Sequence, residues 1–239
     1  MRLAVSWMTV LPVRGPDTVD RAAAARAISL LPVIGALLGA GAGGVLWVAE
    51  HGLPPALSGL LAVAALALAT RGMHLDGLAD TFDGLGCYGP PERARAVMSS
   101  GGVGPFGVLA IVFAVGAQVY SFAVLDWQAV CVAVAAGRVA VVLACRRGIE
   151  AARADGLGAL VAGSQPRWIG AAWAAALAAV SVFATDRWWQ GPLAIVAALA
   201  VSLVLVRHCV RRFAGVNGDV LGAAVELTVT IAAIGLALR

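Results

Sequence analysis

The chain has no lysine: all 17 of its basic residues are arginine. Charge of either sign is scarce, at 13% of 239 residues. A soluble domain carries about 25%, so this chain cannot cover a water-facing globule with charge. Cysteine is also sparse. The four residues Cys87, Cys131, Cys145 and Cys209 show no C-x-x-C spacing, which argues against a disulfide framework or a zinc site. Cys131 and Cys145 fall in apolar runs, where a thiol behaves as a small hydrophobe. No internal repeat and no soluble appendage are visible. The net charge of +4 and a pI near 9.3 do not point to nucleic acid.

Apolar sequence is what the chain has in abundance, at 61% with a mean hydropathy of +0.92. Crossing a bilayer as helix takes about 20 such residues. The runs 27–49, 52–70, 96–125, 168–185 and 188–206 qualify or nearly do. Two more, 127–145 and 220–238, are each interrupted by one charge, Arg138 and Glu226 respectively. The expected fold is an all-α, polytopic integral membrane helix bundle of about seven spans, formed as one domain over residues 1–239. Leu3–Pro12 is apolar but too short to cross and is bracketed by Arg2 and Arg14, so it reads as an interfacial or re-entrant piece. No small-residue cleavage site makes it a signal peptide.

Fourteen arginines fall in the N-terminal segment and in the loops after spans two, four and six; Arg187 and Arg239 fall on the other side and Arg138 within a span. The positive-inside rule then places the N-terminus and the long loops in the cytoplasm. The protein is expected in the cytoplasmic (inner) membrane, embedded in the lipid bilayer. Glycine at positions 35, 39, 41, 43 and 44 reads as helix packing, since small residues let membrane helices approach closely.

The remaining polar residues gather in a few motifs on the inward side. The first reads His74-Leu75-Asp76-Gly77-Leu78-Ala79-Asp80-Thr81-Phe82-Asp83-Gly84. On a helix, the i, i+4, i+7 spacing puts Asp76, Asp80 and Asp83 within roughly a 60° arc. Two such charges ~5 Å apart repel by about 3 kcal/mol at an effective dielectric of ~20. No basic residue lies between Arg71 and Arg93 to relieve this, and a hard divalent cation such as Mg²⁺ would. The alternative is a solvated acidic helix face. His74 would point away from the carboxylates on a continuous helix, and from a loop could serve as a base or phosphate ligand.

A second motif, Gly101–Gly107, leads into span three. Gly104 and Gly107 could offer backbone N–H groups to phosphate; a plain helix-start hinge reads the same way. A third is Asp155-Gly156-Leu157-Gly158. A fourth runs from Arg211 to Asp219 into the last span, with Arg211 as a candidate phosphate cation and Asp219 on one helical face with Glu226. Glu226 and Arg138 are the two charges inside spans, where ionisable residues suggest function or pairing; a direct Arg138–Glu226 bridge is the bland reading.

Acids suited to a divalent ion, a glycine loop and arginines on one face are the parts of phosphate chemistry. At these residues the chain resembles the adenosylcobinamide-GDP ribazoletransferase (cobalamin 5′-phosphate synthase) family. The His74–Gly84 stretch carries the resemblance. Leu11-Pro12-Val13, Leu31–Gly35, Val103–Gly107, Asp155–Ala159 and Gly215–Ala223 with Glu226 agree in order and spacing, so it covers essentially the whole chain. The resemblance implies a Mg²⁺-dependent transferase joining adenosylcobinamide-GDP and α-ribazole, or its 5′-phosphate, with release of GMP. The reading of the residues makes Asp76, Asp80 and Asp83 the metal ligands, and His74 and Asp219 join them as catalytic candidates. A CDP-alcohol phosphotransferase, a prenyltransferase and a transporter are the competing readings. The sequence leaves the oligomeric state open, a homo-oligomer included.

Overall fold

The computed structural model describes residues 1–238, and the described residues form helices with no β-strand. In chain order these are α1 (Arg2–Met8), α2 (Arg21–Ser29), α3 (Leu31–Glu50), α4 (Pro55–Ala69), α5 (Met73–Gly86), α6 (Pro91–Met98) and α7 (Pro105–Phe122). They are followed by α8 (Trp127–Ala144), α9 (Gly156–Val161), α10 (Arg167–Val180) with a 3₁₀ turn Ser181–Ala184, α11 (Gln190–Phe213) and α12 (Gly218–Ala237). Proline opens α3, α4, α6 and α7, where its missing N–H costs nothing and its fixed φ suits the first turn.

Six helices are long and apolar enough to cross a membrane: α3, α7, α8, α10 with its 3₁₀ turn, α11 and α12. Seven are reached by counting α4 and α5, which qualify only jointly and meet at 90°. The expected straight span over 52–70 therefore needs correcting. Its helix has 15 residues, about 22 Å at 1.5 Å per residue, short of the ~30 Å hydrocarbon core. The elbow is a Schellman-type ending. Gly72 N–H bonds to Ala67 O at 2.7 Å and Arg71 N–H to Leu68 O at 3.1 Å. Arg71 and Gly72 are both left-handed, with φ of 57° and 67°, which stops the helix and redirects the chain. α1 does not cross: the chain after it becomes extended at Thr9 and Val10 N–H bonds to Ala69 O, against the elbow.

The centre of the bundle is α8, the most buried of the spans, packed on α3, α10, α11 and α12. The α3–α8 seam explains the glycine stripe. A Cβ at Gly35, Gly39 or Gly43 would lie 2.7–3.0 Å from the α8 backbone, while Gly41 and Gly44 face open space. The two helices run antiparallel, since Gly35 meets Ala135 and Gly43 meets Trp127. α11 and α12 are also antiparallel: Gln190 donates to the carbonyls of Gly235, Leu236 and Leu238, and Ser202 donates to Ala224 O.

The bland pairing of Arg138 with Glu226 is not present. Among the described residues the one ion pair is Arg95–Glu92 at 3.3 Å on the surface. Glu226 instead accepts a hydrogen bond from Gln118 Nε2 at 2.8 Å. A primary amide thus takes one oxygen of this carboxylate.

Candidate active site at one end of the bundle

Three polar connections, 87–104, 145–166 and 214–217, mesh at the end of the bundle where α7 and α12 begin. Ala152 N–H bonds to Val216 O and Val216 N–H to Glu150 O, each at 2.9 Å. Arg153 Nη2 donates to Ser99 Oγ at 2.6 Å. Arg95 Nη1 donates to Phe213 O at 2.8 Å and closes the end of α11. Gly215, with φ of 150°, lies so close to Ala151 that a Cβ would sit 2.4 Å from its carbonyl carbon. The order of the sequence motifs in the chain thus becomes proximity in space.

α5 crosses α12 at this end, and both glycines of the crossing are needed for it. A Cβ on Gly77 would lie 2.8 Å from Asp219 O, and one on Gly222 would lie 3.2 Å from His74 Cα. The contact brings the aspartates of α5 to the first turn of α12. Asn217 caps that turn by accepting from Val220 N–H at 3.0 Å, and its Nδ2 donates to Asp219 Oδ2 at 2.7 Å.

The three α5 aspartates share an arc but not an environment. Asp76 is exposed, Asp80 half-buried and Asp83 buried. Asp80 faces the carboxylates of Asp219, Asp76 and Asp83. Arg153 is the guanidinium that faces Asp219. Asp83 turns toward α7: Oδ2 accepts from Gly104 N–H at 2.6 Å and Oδ1 from Gly107 N–H at 2.9 Å. It thereby satisfies orphan donors at a helix start. The two N–H groups expected to face a phosphate are thus taken up by Asp83. A Cβ at either glycine would lie within 2.5–2.6 Å of the Asp83 carboxylate, which accounts for glycine at both positions.

His74 is buried on the other side of α5, among Thr70, Gln118, Arg138 and Glu226. The continuous helix sends it away from Asp76. Arg211 is exposed on the last turn of α11, while its neighbour Arg212 donates to Cys87 O at 2.6 Å. Two clefts flank the α5–α12 crossing. A polar one of about 280 Å³ is lined by Arg153, Asp155, Gly156, Asn217, Gly218 and Asp219. An apolar one of about 420 Å³ is lined in part by Leu78, Phe82, Phe106 and Phe113. Sequence reasoning missed Arg153, one loop arginine among many; its position two residues before Asp155-Gly156 was the available signal.

The donor set near Asp80 is all carboxylate oxygen, which suits a hard divalent cation. Among the described residues no three Asp, Glu, His or Cys side chains close around a single point. Mg²⁺ does not need such a cage, since it is usually held by one or two carboxylates, water and substrate phosphate. The residues present fit an ion shared with a phosphate substrate.

Comparison with known proteins gives the family. The profile of the cobalamin-5-phosphate synthase family matches residues 1–237. A curated relative from Nocardioides sp., named adenosylcobinamide-GDP ribazoletransferase, is 43% identical over 241 residues, covering 100% of this chain and 98% of its own. A relative of the same name from Corynebacterium efficiens is 38% identical, covering 97% of this chain and 88% of its own. One from Citrobacter koseri is 36% identical, covering 91% and 90%. No solved structure matches. On a match of this extent the chain belongs to the cobalamin-5-phosphate synthase family of transferases.

Proposed function

We propose that this protein joins adenosylcobinamide-GDP to α-ribazole, or to α-ribazole 5′-phosphate, at the end of the bundle where α5 crosses α12. The observation that carries the proposal is that Asp219, which lines the polar cleft with Arg153, also faces Asp80 and Asp76 of α5. The ribose 5′ oxygen attacks the phosphorus on the cobinamide side. The bond from that phosphorus to the bridging oxygen breaks, and GMP leaves with that oxygen.

A bound Mg²⁺ would supply neutralisation of the phosphate oxygens, held by Asp76 and Asp219 together with the substrate phosphate. The protein's own residues do the rest. Asn217 holds Asp219 in place through Nδ2. Arg153, anchored through Nη2 on Ser99 Oγ and Arg95 O, offers the rest of its guanidinium to phosphate at the cleft. Asp83 fixes the start of α7 against α5, so it acts as a positioning residue. Asp80 is the carboxylate placed to accept the proton of the attacking hydroxyl. Gly104, Gly107 and Arg211 are assigned no contact with substrate.

The arginine distribution supports a cleft on the cytoplasmic side of the cell membrane. A cysteine introduced near Arg93 or Arg153 should be labelled from the cytoplasm only, and one near Asp186 from outside only; the reverse pattern defeats the orientation. The decisive assay incubates purified protein with adenosylcobinamide-GDP, α-ribazole and Mg²⁺. Release of GMP with formation of cobalamin is expected, and EDTA should abolish both. Absence of GMP would sink the transferase reading, and full turnover in EDTA the metal.

A further inference from the structure

A second polar cluster lies inside the bundle, on the face of α5 opposite the aspartates. Thr70 from the end of α4, His74 from α5, Gln118 from α7, Arg138 from α8, and Glu226 and Val229 from α12 surround a small chamber. Four of the seven crossings meet there, directly below the elbow. Arg138 is 3% exposed, so its guanidinium is withdrawn from solvent. Nη1 donates to Val134 O at 3.3 Å, and Nε has no partner among the described residues.

A buried guanidinium N–H left unpaired costs about 1–3 kcal/mol or more. The expected remedy, a direct bond to Glu226, is absent at the 4.0 Å limit for an ion pair. Glu226 uses Oε2 for Gln118 Nε2, which leaves Oε1 free. Thr70 Oγ1 donates to Leu66 O at 2.8 Å, so its lone pairs are free to accept. The chamber offers about 20 Å³ to a water centre, above the roughly 10–15 Å³ that one water occupies. A buried water also needs two to four polar partners, and Arg138, Glu226, Thr70 and His74 supply them.

We infer that the chamber binds one ordered water, which accepts from the Arg138 guanidinium and donates to Glu226 and Thr70, and that this bridge pins the elbow between α4 and α5. Neither charge then needs to reach the other, and the bent crossing is tied to α8 and α12 through a molecule that both sides share. The inference stands apart from the chemistry of the aspartate face.

The test uses the full-length protein in detergent. A map at a resolution that shows waters should contain one peak in the chamber, within hydrogen-bond distance of Arg138 and Glu226. Melting temperatures of Arg138→Met, Glu226→Gln and the double variant should be non-additive, the double losing less than the sum of the singles. Repeating the cycle on a Thr70→Val background, which removes a water partner but touches neither charge, should shrink that difference. If Arg138→Met does not fold, Glu226→Gln and Thr70→Val form a cycle that nearly keeps both shapes, and it should also be non-additive. A dry chamber, a guanidinium in direct contact with the carboxylate, or additive losses in the available cycle would overturn the bridge.

Discussion

One side of α5 carries Asp76 and Asp80 toward Asp219 at the end of the bundle; the other carries His74 into a small chamber among the helices. On the first side, Asp80 faces Asp219 and Asp76 with no cation in contact. In the chamber, the one carboxylate is answered by an amide, Gln118, and a guanidinium lies nearby. Like charges gathered where water and phosphate can enter, at a cost in stability, are what ligand binding requires. Few charges, each met by an amide or a nearby counter-charge, are what a stable membrane core requires. The difference teaches that charge in a membrane protein is read from its partners and its access to water, more than from its presence.

The largest effect should come from removing an acid on the open side. Asp80→Asn is expected to lower turnover, measured as GMP released per folded molecule, by on the order of a hundredfold, with a melting temperature equal to or above that of the parent. Lowered stability instead would place Asp80 with the structural groups. Asp219→Asn should behave alike, with a smaller loss because Asn217 still holds the turn.

Asp83→Asn should move the protein the other way. Its carboxylate accepts two backbone N–H groups, and hydrogen bonds to a charged acceptor are worth ~1.5–3 kcal/mol each in the native state. A drop in thermal stability is expected, with turnover per folded molecule falling less than in Asp80→Asn. A stable but inactive Asp83→Asn would make it a ligand after all.

The two glycines at the crossing sharpen the contrast further. Gly77→Ala presses on the backbone of Asp219 and should cost ~1–3 kcal/mol together with activity. Gly222→Ala meets His74 at a looser 3.2 Å and should cost less in both, judged by unfolding midpoints and GMP release. Equal losses would mean that the two sides of α5 are not separable. The smallest effect is expected at Arg211, which is exposed: Arg211→Gln should change stability by less than about 0.5 kcal/mol and leave turnover near that of the parent.

Much of this could be read from residue order. Long apolar runs with sparse charge determine a helical membrane bundle, because backbone groups in hydrocarbon must bond within their own segment. The i, i+4, i+7 spacing of Asp76, Asp80 and Asp83 determines a shared arc, and the glycine stripe a close seam. Periodicity on a single helix cannot say what stands opposite it, and there only the tertiary structure decided. It turned Asp83 onto the N–H groups of Gly104 and Gly107, sent His74 into the chamber, brought Arg153 to Asp219 and gave Glu226 an amide 108 residues away. It also bent the second crossing at Arg71–Gly72, since the left-handed pair that breaks the helix is held by the ends of α4 and α1. The sequence determines which face a side chain leaves from; the packing of other helices determines what it meets.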